Sequence, residues 1–273
     1  MKISELEALV MHEKYTNIPM YNYYMDNPNE LSDIPADAFI TIPALAEEVK
    51  LKGIDALPQY GVSNLEEFLN KIKLGGFINL DSDVNLSNTC IVIEKDTTIN
   101  LNGNRITGGV FTESNGNITD GDTDSYVFWV KGGKLTIEGN GTIEAKSAKY
   151  SIAVWANGGD VEINGGTFVN GDGSDLIYVS NTGNIIINDG NFYAGKNTDP
   201  VGTKNPYSAL NIKDKDRNNC SIKVKGGTFY GFNPADNVSE GPDTNFVEEG
   251  YISVNISDNS WRVEKDDIVV DEL

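Results

Sequence analysis

Between residues 99 and 229 one short pattern returns five times: an alternating strand, a corner of Gly and Asn, then a further apolar residue. The copies run Ile99–Ile106, Leu135–Ile143, Val161–Phe168, Ile185–Phe192 and Ile222–Phe229. Their closing residues are Ile106, Ile143, Phe168, Phe192 and Phe229, at spacings of 37, 25, 24 and 37. Every copy after the first follows a second apolar strand: Tyr126–Val130, Ile152–Trp155, Leu176–Val179 and Ala209–Ile212. A unit this short cannot bury its own apolar face. Recurrence at this period therefore predicts a solenoid or a stacked array.

The pattern fits a parallel β-helix. Stacking sets each strand over its equivalent at about 4.8 Å. Inward positions then align into ladders, here Ile163, Ile187 and Val224, or Phe168, Phe192 and Phe229. Gly165, Gly166, Asp189, Gly190, Gly226 and Gly227 fall where the chain must turn sharply. Composition agrees: 32 Asn and 28 Gly, both tolerant of left-handed backbone, imply more tight turns than a helical protein can use. The two long spacings read as repeats with a dozen or so inserted residues, in loops 115–124 and 196–206. Long insertions in loops add little closure entropy per residue.

Both ends of such a stack expose interior and strand edges. Residues 63–74 read as a helix covering the first end. Ser63 and Glu66 have capping-box spacing, and Leu65, Phe68, Leu69 and Ile72 make one apolar stripe that Gly75 and Gly76 stop. Gly250–Ile256 and Trp261–Val263 read as a hairpin closing the other end, with Ser257–Ser260 as its turn.

Residues 1–60 have another texture. They carry Pro19, Pro28, Pro35, Pro43 and Pro58 and the tyrosines Tyr15, Tyr21, Tyr23 and Tyr24. A short amphipathic helix at Ile3–Val10 and a strand with a helical turn at Ala38–Leu51 are expected, but no long periodic element. Such a segment buries little surface alone. It is either a small irregular domain packed on the remainder or an attachment module that orders on a partner. The predicted organisation is an attachment module over 1–60 and a β-helix over 61–273.

Charge removes whole classes of function. Lys and Arg total 21 and Asp and Glu 41, so the net charge is 21 − 41 = −20. Coating of nucleic acid and docking on anionic lipid both need a positive footprint, so neither is expected. No run of 18 apolar residues predicts a membrane helix. Glu5 and Glu7 stand where a secretion signal would be apolar, so none is expected. Cys90 and Cys220 imply no disulfide framework.

Three stretches carry a resemblance. From Leu65 through Gly108, a capping helix followed by GGFINLDSDVNLSNTCIVIEKDTTINLNGNRITGG is similar to the start of the pectate-lyase-like superfamily of right-handed β-helices. Residues 226–263 resemble the final rung and closing hairpin of virion appendage proteins of gut bacteriophages, and of some bacterial surface repeat proteins. The opening KISELEAL is similar to a "KISELPA" segment of phage head and tail fibres, with Glu7 in place of the usual Pro. The resemblance implies a right-handed, single-stranded β-helix in a structural virion protein, a head fibre or capsid decoration, assembled in the host cytoplasm. It implies partners too: a capsid or other virion protein docked through residues 1–60, further copies of the chain, and a host-surface glycan if the protein is adhesive.

Catalytic chemistry is thin. Pectate lyases use Ca²⁺ held by acids and an Arg base. The arginines here are Arg105, Arg217 and Arg262, and none has a paired acid at a recurring position. A glycosidase needs two carboxylates, and Glu138 with Glu162, in outward slots of neighbouring repeats, is the candidate pair. The plainer reading is a solvated outer face. Asp120, Asp122 and Asp124 open like a Ca²⁺ loop but lack its later Gly and Glu, which favours a polar turn. Tyr126, Phe128, Trp129, Trp155 and Tyr178 recur on the second strand. They form either core plus scattered surface aromatics or an exposed ladder for sugar rings or another subunit. Gly132–Gly133 and Gly158–Gly159 are corners without the Lys of a phosphate loop. The lone His12 lies in the attachment module and is expected to serve packing or solvation. No catalytic, metal or cofactor residue is expected. A polysaccharide-depolymerising tailspike and a bacterial surface adhesin are the alternatives.

Overall fold

The computed structural model describes residues 61–62, 64–110, 124–146, 148, 150–171, 175–193, 209–236 and 244–266. The readings made on residues 1–60, on His12, on Asp120 and Asp122 and on the loop over 196–206 lie outside them.

One α-helix, α1 (Leu65–Leu74), occurs among the described residues. Its stripe works as expected: Phe68 and Ile72 are buried, and Leu65 and Leu69 pack against the same core. The cap lies one residue later than the sequence reading placed it. Asn64 is the N-cap, and its Oδ1 accepts the backbone N–H of Glu67 at 2.9 Å. Asn caps as well as Ser, so the Ser63 box had a competitor beside it. Gly75 ends the helix at φ 79, with its N–H on the carbonyls of Ile72 and Lys71. A Cβ there would lie 2.8 Å from the carbonyl oxygen of Asp96, so both conformation and space call for glycine.

Among the described residues a single 3-10 turn occupies Asp214–Asp216, and the remaining elements are strands. Before the helix lies β1 (Gly61–Val62). After it come β2 (Gly76–Leu80), β3 (Val84–Asn85), β4 (Ile91–Ile93), β5 (Thr97–Asn100), β6 (Arg105–Thr107), β7 (Asp124–Val130), β8 (Lys134–Glu138), β9 (Thr142–Glu144) and β10 (Tyr150–Asn157). Then follow β11 (Asp160–Val169), β12 (Ile177–Ser180), β13 (Asn184–Tyr193), β14 (Leu210–Ile212), β15 (Ser221–Val224), β16 (Gly227–Tyr230), β17 (Tyr251–Ser257) and β18 (Ser260–Lys265).

They form two sheets. The smaller has five strands in the order β14-β12-β10-β7-β4, all paired in parallel. The larger has 13 strands and two parallel tracks. One track runs β2, β5, β8, the first half of β11, the first half of β13, and β15. The other runs β3, β6, β9, the second halves of β11 and β13, and β16. The chain visits one track, the other, then the smaller sheet, and starts again. Each visit lays a strand parallel to its predecessor.

Register aligns the apolar residues. The first track stacks Ile78, Ile99, Ile137, Ile163, Ile187 and Val224. The second stacks Val84, Ile106, Ile143, Phe168, Phe192 and Phe229. The smaller sheet stacks Ile91, Phe128, Val154, Ile177 and Leu210. All three columns join one buried cluster between the sheets. Both expected ladders are therefore present, and each continues back to one copy earlier than the sequence reading began. That copy, β2 to β4, is legible in the sequence as short strands at Phe77–Leu80, Val84–Leu86 and Cys90–Ile93, but not as a repeat, because Asp81, Ser82 and Asp83 replace its Gly/Asn corner.

The corner glycines stack as well. Gly166, Gly190 and Gly227 all have positive φ, at 94, 137 and 99. A Cβ on Gly190 would lie 3.2 Å from the Gly166 carbonyl oxygen, and one on Gly227 would lie 3.0 Å from that of Gly190. Of the four non-glycine residues at positive φ among those described, three are Asn: Asn102, Asn181 and Asn259.

Asp124, read as loop, is the first residue of β7. At the far end, β17 and β18 form the expected antiparallel hairpin, and β18 pairs antiparallel with β16.

Candidate functional site

The acids and bases come first. Glu162 lies opposite Thr136 and Ile186, and Glu138 lies opposite Asn100, two positions further along β8. The two carboxylates are out of phase, so the pairing expected of neighbouring repeats is not formed. A strand period of two allowed either register, and the shared core fixes this one. Glu162 pairs with Lys134 and accepts from Asn188 Nδ2 at 3.1 Å. The Lys134 hydrogen bond, against some desolvation, holds its carboxyl below the usual carboxylate range. A general acid needs the opposite shift.

Every arginine has an acidic neighbour, though the pairs do not recur from one repeat to the next. Arg105 pairs with Glu144, Arg217 with Asp214 at 3.0 Å, and Arg262 with Glu264 at 3.3 Å. Arg105 and Glu144 come from adjacent repeats, which is why linear spacing missed them. Each is an exposed surface pair. Among the described residues no cluster of three His, Cys, Asp or Glu is placed to hold a metal ion. Cys220 is a free thiol pushed up by burial and by Asp216. A raised thiol is a poor nucleophile.

Among the described residues the aromatics give the most concentrated feature. Phe128 points into the core and is fully buried. Tyr126, Trp129, Trp155 and Tyr178 point the other way, onto the outer face of the smaller sheet, where they form a second cluster with Ile152, Tyr150 and Cys90. Trp129 and Trp155 occupy matching positions on β7 and β10 and stack at 5.1 Å with planes 3° apart. Tyr126 meets Trp155 edge-on at 5.1 Å, and Tyr178 follows it at 6.2 Å. Lys131 Nζ lies 3.8 Å from the centroid of the Trp129 ring.

This arrangement divides the two alternatives the sequence left open. Ring faces are spent on each other and on Lys131, so the column offers edges where a sugar would need a face. Tyr126 and Trp155 are buried to 3% and 4% exposure, unlike an open platform. The indoles differ in polarity. Trp155 Nε1 donates to Ser180 Oγ at 2.9 Å, and that hydroxyl donates to Asn157 Oδ1 at 3.0 Å. Trp129 Nε1 is buried with no acceptor.

A second aromatic pair went unread. Tyr193 and Tyr230 stack at 4.1 Å with planes 2° apart, on the outer side of β13 and β16. Its hydrogen bond with the Tyr230 hydroxyl, together with partial burial, pushes the Tyr193 phenol above its ordinary range. Their spacing of 37, the same as Phe192 to Phe229, was the available signal.

No family model, curated protein or solved structure matches this chain.

Proposed function

We propose that residues 61–273 wind into a single-stranded parallel β-helix that acts as a passive structural element. In this reading the protein is a virion-surface fibre or capsid decoration, docked to a capsid or other virion protein through residues 1–60. The observation that carries the reading is the register. Three tracks of strands repeat in phase, and interior strands are hydrogen-bonded on both sides. Such a body resists local opening and proteolysis, because few of its backbone groups are free. A net charge of −20 keeps it soluble and discourages contact with nucleic acid. The resemblances at residues 226–263 and in the opening KISELEAL supply the virion part. A non-enzymatic role fits a molecule whose best-placed acid is held ionised by its neighbours. Further copies of the chain and a host-surface glycan are the remaining partners in this reading.

The experiment is removal of residues 1–60. The truncated protein should keep its β-sheet circular dichroism and be absent from purified particles. Co-purification with particles would show that the attachment module is wrongly assigned. The depolymerase alternative predicts reducing-end or unsaturated-uronate products from a glycan panel, and the structural reading predicts none.

A further inference from the structure

The strand order of the larger sheet ends on β18 and then β17, so among the described residues nothing pairs with the far side of β17. Long free edges of this kind template the pairing of another strand. This one, Tyr251-Ile-Ser-Val-Asn-Ile-Ser257, holds no charged residue and no proline, in a chain of net charge −20. Its outward face bears Ile252 and Ile256, exposed at 36% and 43%, with Val254 between them.

Hydrogen bonding fixes which groups face outward. The Asp266 N–H donates to the Gly250 carbonyl at 2.9 Å, and Ile252 and Val254 lie opposite Glu264 and Arg262. Bonded pairs alternate in an antiparallel ladder. Ile252 and Val254 therefore bond to β18, whereas Ser253 and Asn255 turn N–H and C=O to the free side.

The apolar pattern is symmetric about Val254. Antiparallel pairing of β17 with its own copy, centred there, sets Ser253 against Asn255 as the hydrogen-bonded pair. It also sets Ile252 against Ile256 and Val254 against Val254, with side chains close. Phase and pattern agree in this single register. An interface between identical chains about a two-fold axis has to be self-complementary. The irregularity between Asn255 and Ser257 confines the pairing to the middle of the strand.

We propose that β17 is a self-association edge, pairing antiparallel with β17 of a second copy of this chain about a two-fold axis through Val254. This narrows the further-copies part of the reading above to one surface. It stands on the strand alone, so a failed dimer leaves the particle experiment intact.

Sedimentation velocity of the full chain over a wide concentration range should show a reversible dimer. Val254→Lys brings two ammonium groups together on the axis and should weaken the dimer about tenfold or more. Cross-linking tests the register even where that variant is misfolded. With Cys90→Ser and Cys220→Ser as background, Val254→Cys should give a disulfide dimer under mild oxidation. Facing Cα atoms of such a pair lie about 4.5 Å apart, within disulfide reach. Ile252→Cys alone should not cross-link, because its neighbour is Ile256, and the two combined should. A monomer at all concentrations overturns the proposal, as does equal cross-linking by Ile252→Cys and Val254→Cys. So does a dimer seen only after removal of residues 267–273, which would make that tail the natural occupant of the edge.

Discussion

The outer faces of the two sheets occupy equivalent places and have opposite character. On the larger sheet, Thr98, Thr136, Glu162, Ile186 and Lys223 follow one another in register, all partly or fully exposed. On the smaller sheet the corresponding column is Val92, Trp129, Trp155, Tyr178 and Asn211. The first is an ordinary hydrated face. The second stores aromatic surface outside the core, with a cation over one ring and a buried indole N–H that has no acceptor. The same stacking rule thus yields a soluble wall and an aromatic seam, and only side-chain chemistry separates them.

The sharpest break in that comparison comes from the inside. Phe192 stacks between Phe168 at 5.0 Å and Phe229 at 4.7 Å. Phe192→Ala should cost about 3–5 kcal/mol in denaturant unfolding, more than any change to either outer face. The seam comes next. Trp155→Phe leaves the buried Ser180 hydroxyl without its donor and should cost about 1–3 kcal/mol. Trp129→Phe removes an unsatisfied donor instead, so it should destabilise less than Trp155→Phe, measured by the same unfolding midpoints. The hydrated face gives the smallest effect. The carboxyl of Glu162 is held below its unfolded value, so its contribution is present above the unfolded pKa and fades as pH falls through the folded one. Glu162→Gln should flatten that acid limb by less than about 1 kcal/mol, since Lys134 is about half exposed.

How far the sequence could be read follows from the same contrast. Where one face is wet, alternation names the inward residues, and Ile163, Ile187, Phe168 and Phe192 were all legible. The smaller sheet has apolar residues on both faces, which erases the alternation. Tyr126, Phe128 and Trp129 therefore could not be sorted until the partner strands were known. The strands of the first copy were legible, but not as a repeat, because its corner uses Asp and Ser. Glu138 and Glu162 were set side by side because spacing along the chain does not reveal register. Arg105 and Glu144, 39 residues apart, show the reverse: contact without any local signal.

The two long repeats owe most of their extra length to the same connection, and the second adds a few residues between β14 and β15 around Asp214–Asp216. The shared connection runs from the second track of the larger sheet to the smaller one, between β6 and β7 and again between β13 and β14. In the short repeats, from β9 to β10 and from β11 to β12, that passage is brief. Chain length thus varies most at one corner, while the phase of every column on either side is preserved. A foreign epitope or binding peptide grafted at that corner would change what the molecule displays without re-indexing its interior.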